Sequence, residues 1–176
     1  MNHNMKRPGR RGPMQGAKKE FDQKVVEVKR VTRVVAGGKR MRFRALVVIG
    51  DKKGRVGIGL RKGTDVSEAV NKAVNSAKKT MVKVNIINDT IPHQTQVKFK
   101  SSVVFLKPAR PGTGVIAGGA IRQVLDMAGV KNVLSKMIGS SNKANNVMAT
   151  YLALTQLKPN ERLARKAEKV AQQSHA

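Results

Sequence analysis

The sequence predicts an α+β chain of two small domains, and three observations predict it. Valine-rich segments separated by glycine turns fill residues 24–63, after which the hydrophobic period changes from that of a strand to that of a helix. Beyond a seam near residues 84–92, a second set of strands alternates with two helices. Hydrophobic residues make up 40% of the 176, enough for a real core, but aromatics only 3%, so Val, Ile, Leu, Met and Ala must build it. The expected organisation is a basic flexible extension (1–23), a three-stranded sheet with one helix (24–84), two helices on a sheet (85–157) and a charged tail (158–176).

The elements follow in order. "KVVEVKRVTRVV", from Lys24, is a strand whose alternation slips phase around Val28 to Val31, as a bulge would make it. "AGGK" turns it into "RMRFRALVVIG", and "DKKG" turns that strand into "RVGIGLRK". In the third strand Val56, Ile58 and Leu60 share one face, while Gly57 and Gly59 leave the other nearly bare. Val66, Ala69, Val70, Ala73, Val74, Ala77 and Met81 then recur at helical spacing, with Asp65 and Glu68 spaced as a capping box. In the second half "VNIIND" and "QVKFKSSVVFLKP" are expected strands, and "ARPGTGVIAGGA" a glycine-rich loop. "GGAIRQVLDMAG" is a helix ended by Gly129, with Ile121, Val124, Leu125 and Ala128 on its apolar face. "VKNVLSKMIG" is a strand, and "SSNKANNVMATYLALTQL" a helix with a Ser/Asn cap and Pro159 just beyond it.

Charge dominates the composition. Against 10 Asp+Glu stand 36 Lys+Arg, a net +26, and the pI is near 11.4. Every segment of the chain is basic, which points to a polyanionic partner lying along much of the surface. Zero cysteine excludes disulfides and thiolate metal sites and suits a reducing cytoplasm. His3, His93 and His175 are too far apart for a local ligand motif, so neither a metal nor a cofactor is expected. No apolar run is long enough to cross a bilayer. The N-terminus carries no acid before Glu20, as organelle transit peptides do not, but its Pro and Gly content and lack of helical period argue against one.

The sharpest local feature is the second strand, where Arg40, Arg42 and Arg44 alternate with Met41 and Phe43 and so share one face. Lys39 joins them, as do Arg30 and Arg33 on the neighbouring strand. Residues 29–44 hold seven basic groups and no acid. Ordinary solvated sheet faces mix signs, because like charges set opposite each other destabilise the pair. Single-strand RNA readers need ring platforms, yet the chain has no Trp, one Tyr and four Phe. The available chemistry is phosphate and 2′-hydroxyl contact, which suits structured RNA recognised by shape. Gly57 and Gly59 either let an RNA backbone approach or let another element of the protein pack tightly.

"RPGTGVIAGGA" could cradle a phosphate through backbone N–H groups. It lacks the lysine and hydroxyl of a P-loop, and the nearest acid, Asp126, falls on the helix behind it. Only three acids follow residue 90, so acid–base catalysis has almost nothing to work with and no enzyme is expected.

Two long strings carry a family resemblance. "VTRVVAGGKRMRFRALVVIGDKKGRVGIGLRKGTDVSEAVNKA" resembles the first half of the small-subunit ribosomal protein S-five family, and "FLKPARPGTGVIAGGAIRQVLDMAGVKNVLSKMIGSSNKANNVMAT" its second half. The match covers about residues 24–157; "VVIGDKKGRVGIG", "GTGVIAGGAIR" and "AGVKNVLSKMIGSSN" are its specific parts, and both tails fall outside it.

The resemblance implies a double-stranded-RNA-binding fold without its leading helix, followed by the family's own α+β domain. It implies a cytoplasmic structural protein of the small ribosomal subunit, bound to 16S-type rRNA. Such a protein stabilises head against body, touches small-subunit proteins four and eight, and acts with four and twelve in decoding accuracy. With proteins three and four it lines the channel through which mRNA enters. The implied RNA contacts are Arg30, Arg33, Gly37, Gly38, Lys39, Arg40, Arg42, Arg44, Lys53, Arg55 and Lys62, and the candidate protein contacts Gly112, Gly114 and Arg122. "RVVAGGKRMRF" matches the family segment near the spectinomycin site, but Ala36 and Met41 depart there, so no drug response is expected. Some small-molecule kinases share the second fold, which accounts for the phosphate-loop look without conferring activity. A free double-stranded-RNA-binding regulator and a phosphotransferase are the alternatives.

Overall fold

Small side chains decide how this chain folds. The structure, a computed structural model, describes residues 21–158; the expected basic extension through residue 20, Pro159 and the charged tail after Lys158 lie outside the described residues. β1 (Asp22–Val35), β2 (Gly38–Gly50) and β3 (Arg55–Gly63) form an antiparallel meander, crossed by α1 (Val66–Lys79) and extended by the short β4 (Val82–Lys83). The second sheet is ordered β5 (Thr95–Phe99), β6 (Ser102–Pro108), β8 (Val133–Gly139), β7 (Val115–Ile116), with β7 parallel to β8. α2 (Gly119–Ala128) and α3 (Lys143–Thr155) pack on this sheet. The α+β class and the two sheets are as the sequence predicts.

Several boundaries differ for local reasons. The bulge lies at Val26, between Val25 and Glu27, and not at Val28 to Val31: the extra residue turns Val26 into the core. "VNIIND" forms no strand; Asn88 and Asp89 take φ of 50° and 61°, and a single bridge closes Ile87 onto Thr90. "QVKFKSSVVFLKP" breaks into a hairpin at Lys100, where φ is 53°. α1 stops at Lys79, and Asp65 caps it by accepting from the Ser67 N–H. Glu68 reaches back past the cap to the Thr64 N–H and hydroxyl, a longer loop than a capping box makes.

α1 lies flush on the meander because neither surface carries bulk. Ala69, Ala73 and Ala77 meet Ala45, Val47 and Ile49, all buried. A Cβ on Gly59 would overlap the Ala73 carbonyl oxygen, and one on Gly57 the Ala77 carbonyl. Of the two readings of these glycines, close approach of RNA fails, because α1 occupies the bare face.

The opposite face of the meander builds the main core. Val26, Leu46, Val48, Val56 and Ile58 join Ile121, Val124, Leu125, Val104, Leu106, Val147 and Leu154 in one cluster. Each such side chain contributes about 1.5–3 kcal/mol, so the two halves are held by a common interior. Backbone bonds reinforce the seam. The C-terminal carbonyls of α2, which no helical partner satisfies, accept from the β2–β3 turn: Met127 from the Lys52 N–H at 3.1 Å and Ala128 from the Gly54 N–H at 2.9 Å. Gly129, at φ 86°, ends α2 against the Lys52 carbonyl, where no Cβ fits.

Both halves should therefore melt in one cooperative transition. Gly59→Ala should lower stability by about 2 kcal/mol, hence Tm by roughly 6 °C, and leave RNA affinity of the folded protein unchanged. Circular dichroism melts and a filter-binding assay check this; two separate transitions, or a selective loss of RNA binding, would contradict it.

Candidate nucleic-acid interface

β1 and β2 run past the rest of their sheet. β3 ends at Gly63, opposite Phe43, and beyond that point Val31–Val35 and Gly38–Arg42 pair with one another alone. The result is a two-stranded ribbon reaching about 17 Å from the body. Ala36 and Gly37 close it, with Gly37 at φ 82° supplying the left-handed residue that the turn requires.

Strand alternation gives the ribbon two different faces. Register sets Arg33 opposite Arg40, Val31 opposite Arg42, Lys29 opposite Arg44, and Arg44 opposite Lys62. Arg33, Arg40, Arg42, Lys62 and their neighbours Val31 and Thr32 line a groove of about 290 Å³. Among the described residues the acid beside this face is Glu27, which lies 3.3 Å from Lys29 and 4.0 Å from Lys143. Each opposed cation pair costs a few tenths to about 1 kcal/mol in water. An array of forked guanidinium donors around a groove, in which Arg33, Arg40, Arg42 and Lys62 have no carboxylate partner among the described residues, fits a chain of phosphates.

The other predicted residues fall in three further places. Arg30 and Lys39 lie on the opposite face of the ribbon with Thr32, Val34, Met41 and Phe43, so they do not join the arginine row as the sequence suggested. Gly37 and Gly38 form the tip, with open space around both. Lys53 and Arg55 sit at the far end of β2, roughly 27 Å from Arg42 along the strand. Arg55 is committed there: its Nε donates to Asp51 Oδ2 at 2.7 Å, and its guanidinium lies 5.3 Å over the Phe21 ring. Burial raises the Asp51 carboxyl, but hydrogen bonds from Arg55 and from the Lys53 N–H outweigh it and leave Asp51 below its ordinary value.

Gly112, Gly114 and Arg122 belong to the second half. Gly112 and Gly114 take φ of 88° and 75° with open space around them, and Gly114 N–H donates to Asn132 Oδ1 at 3.1 Å. Arg122 is exposed on the first turn of α2. Among the described residues no group of three His, Cys, Asp or Glu could hold a metal ion.

Sequence reasoning missed a second basic groove of about 320 Å³, lined by Arg61, Lys72, Asn75, Ser76 and Lys79. Its signal was present: positions 72, 75, 76 and 79 recur at helical spacing on one face of α1. No ring serves the arginine face, since Phe43 packs against the α1 cluster and the Tyr151 hydroxyl donates to the Thr80 carbonyl at 2.7 Å.

Two family models match the chain: ribosomal protein S5, N-terminal domain, over residues 21–85, and ribosomal protein S5, C-terminal domain, over residues 97–167. Small ribosomal subunit protein uS5 of Treponema pallidum (strain Nichols) is 49% identical over 151 residues, covering 86% of this chain and 88% of that protein. The protein of the same name from Campylobacter jejuni (strain RM1221) is 49% identical over 141 residues, 80% of this chain and 96% of its own.

Arg42→Ala should weaken binding to folded RNA irrespective of sequence and flatten the salt slope by about one unit; a base-specific loss in a competition titration would contradict the phosphate mechanism. Acid should destabilise the fold. Hydrogen bonds from Lys72 and Thr64 lower Glu68 from 4.5 to about 2, and Asp51 is lowered as well. Their contributions are complete above the unfolded values and are lost as pH falls through the folded ones. Glu68→Gln should accordingly flatten the stability curve between about pH 5 and pH 2 in denaturant titrations.

Proposed function

The chain belongs to the ribosomal protein S5 family, and from that premise we propose how it serves as a structural constituent of the small ribosomal subunit. The ribbon inserts among rRNA phosphates of the 16S type, with Arg33, Arg40, Arg42, Arg44 and Lys62 as its main contacts. Gly37 and Gly38 let the tip approach the RNA backbone closely, and Arg30 and Lys39 reach phosphates on the other side. Lys53 makes a separate contact at the far turn, where Arg55 acts chiefly by holding the turn in shape. Neutralising phosphates that would otherwise repel braces the head of the subunit against its body, and the accuracy of decoding depends on that restraint. Gly112, Gly114 and Arg122 face small-subunit protein four. Protein eight is a second neighbour, proteins three and twelve are nearby, and the chain borders the channel through which mRNA enters.

One observation carries this reading: a register-locked face of arginines and lysine around one groove, with no stacking ring on it. A rigid cation row suits an A-form helix recognised by its backbone and 2′-hydroxyls. The subunit itself fixes the localisation, on ribosomes.

Gradient fractionation of native lysate tests the proposal. The chain should comigrate with small subunits at moderate salt and be released as salt rises. Migration as a free protein would instead favour a double-stranded-RNA-binding regulator.

A further inference from the structure

The cation face of the meander ends at an acid. Counted from the tip, register sets Arg33 beside Arg40, then Val31 beside Arg42, then Lys29, Arg44 and Lys62 abreast, and then Glu27, Leu46 and Leu60. Alternation puts all of these on one side of the sheet. The Glu27 side chain is 14% exposed, and lysines from two elements hold it. Lys29 Nζ lies 3.3 Å from Glu27 Oε1, and Lys143 Nζ, at the start of α3, lies 4.0 Å from the same oxygen. Among the described residues Arg33, Arg40, Arg42, Arg44 and Lys62 have no such partner. Leu46, buried, and Leu60, exposed, complete the row of Glu27 and offer a phosphate nothing to bond.

We propose that Glu27 is the end stop of the phosphate track: it withholds Lys29 and Lys143 from RNA, turns the backbone away, and so sets the register in which an RNA helix seats on the ribbon. The inference rests on the reading of this face as phosphate-binding. A uniform cation face lets a polyanion slide, because every further lysine offers one more phosphate contact and no position is favoured over the next. A carboxylate at one row removes that degeneracy by repelling a backbone that overruns it. Lys29 and Lys143 are themselves 53% and 56% exposed, so without Glu27 both stand open to phosphate. As a clasp between β1 and α3 the same carboxylate achieves little, since pairs with such exposed lysines stabilise a fold weakly. Its larger effect falls on what binds beside it.

Glu27→Gln in the full-length chain keeps the shape of the side chain and removes its charge. In filter binding to a mixed-sequence RNA duplex it should steepen the salt slope by about one to two units, as Lys29 and Lys143 come onto phosphates, and raise affinity about tenfold at moderate salt. Preference for small subunits stripped of the native protein over that duplex should fall by a similar factor. Adding Lys29→Gln and Lys143→Gln to this variant should restore the wild-type slope, whereas Lys29→Gln alone should leave the wild-type slope unaltered. An unchanged or flatter slope in folded Glu27→Gln overturns the proposal. So does a slope flattened by about one unit in Lys29→Gln alone, a result that decides the matter even if Glu27→Gln does not fold. If wild-type binding shows no salt dependence, the phosphate reading has failed; if wild type responds to salt and Glu27→Gln responds identically, the end stop alone has.

Discussion

Burial of β2 on both faces from Ala45 to Ile49 is the constraint from which the rest of the molecule takes its geometry. α1 presses on Ala45, Val47 and Ile49, while α2 and the main cluster press on Leu46 and Val48. Moving such a strand by one residue would exchange every side chain between two differently shaped interiors, so its register is fixed. That fixity passes outward along the same strand to Arg44, Arg42 and Arg40. The ribbon has no core of its own, and a lone pair of strands is at best marginal in water. Its cation row is aimed by the half of the strand that no solvent reaches.

Much of this was legible in the sequence. Alternation in "RMRFRALVVIG" gave the shared arginine face without any structure, and the helical recurrence of Val66 to Ala77 located α1. Gly129 ended its helix as expected because a left-handed residue leaves few alternatives. What could not be read were the relations between segments. Arg30 and Arg33 are three apart on one strand, so they face oppositely, but which of them joins Arg40 depends on where the bulge falls. Val26 and Val28 are chemically alike, and only the shape of the core chooses between them. Arg55 counted as one more free cation until the turn brought it against Asp51 and Phe21. The exposed face of the second sheet was hidden for the same reason: its alternation was visible, but not which side the helices would take.

Charge is distributed according to what each surface must exclude. On the ribbon, opposed arginines make the isolated protein less stable and the complexed one more so, since a polyanion removes the repulsion as it binds. On the exposed face of the second sheet, Lys136 stands opposite Phe105 and Lys107 opposite Leu134, so charge is interleaved with apolar side chains. Fork-shaped cations sit where planar anions are expected. The two surfaces lie on opposite halves of the chain, and the shared interior fixes how one is presented relative to the other.

The two turns of the meander differ in how freely they could be remodelled. Among the described residues no atom lies within 4 Å of where a Cβ on Gly37 or Gly38 would sit, so the fold itself sets no limit on that loop. The Lys52–Gly54 turn, by contrast, closes off the end of α2 and accepts the Val84 N–H at 2.7 Å through the Gly54 carbonyl. One inserted residue there would unseat a helix terminus and the linker together. A change of length at the ribbon tip would therefore be felt by the RNA it meets and not by the fold, whereas one at the opposite bend would be felt by the fold itself.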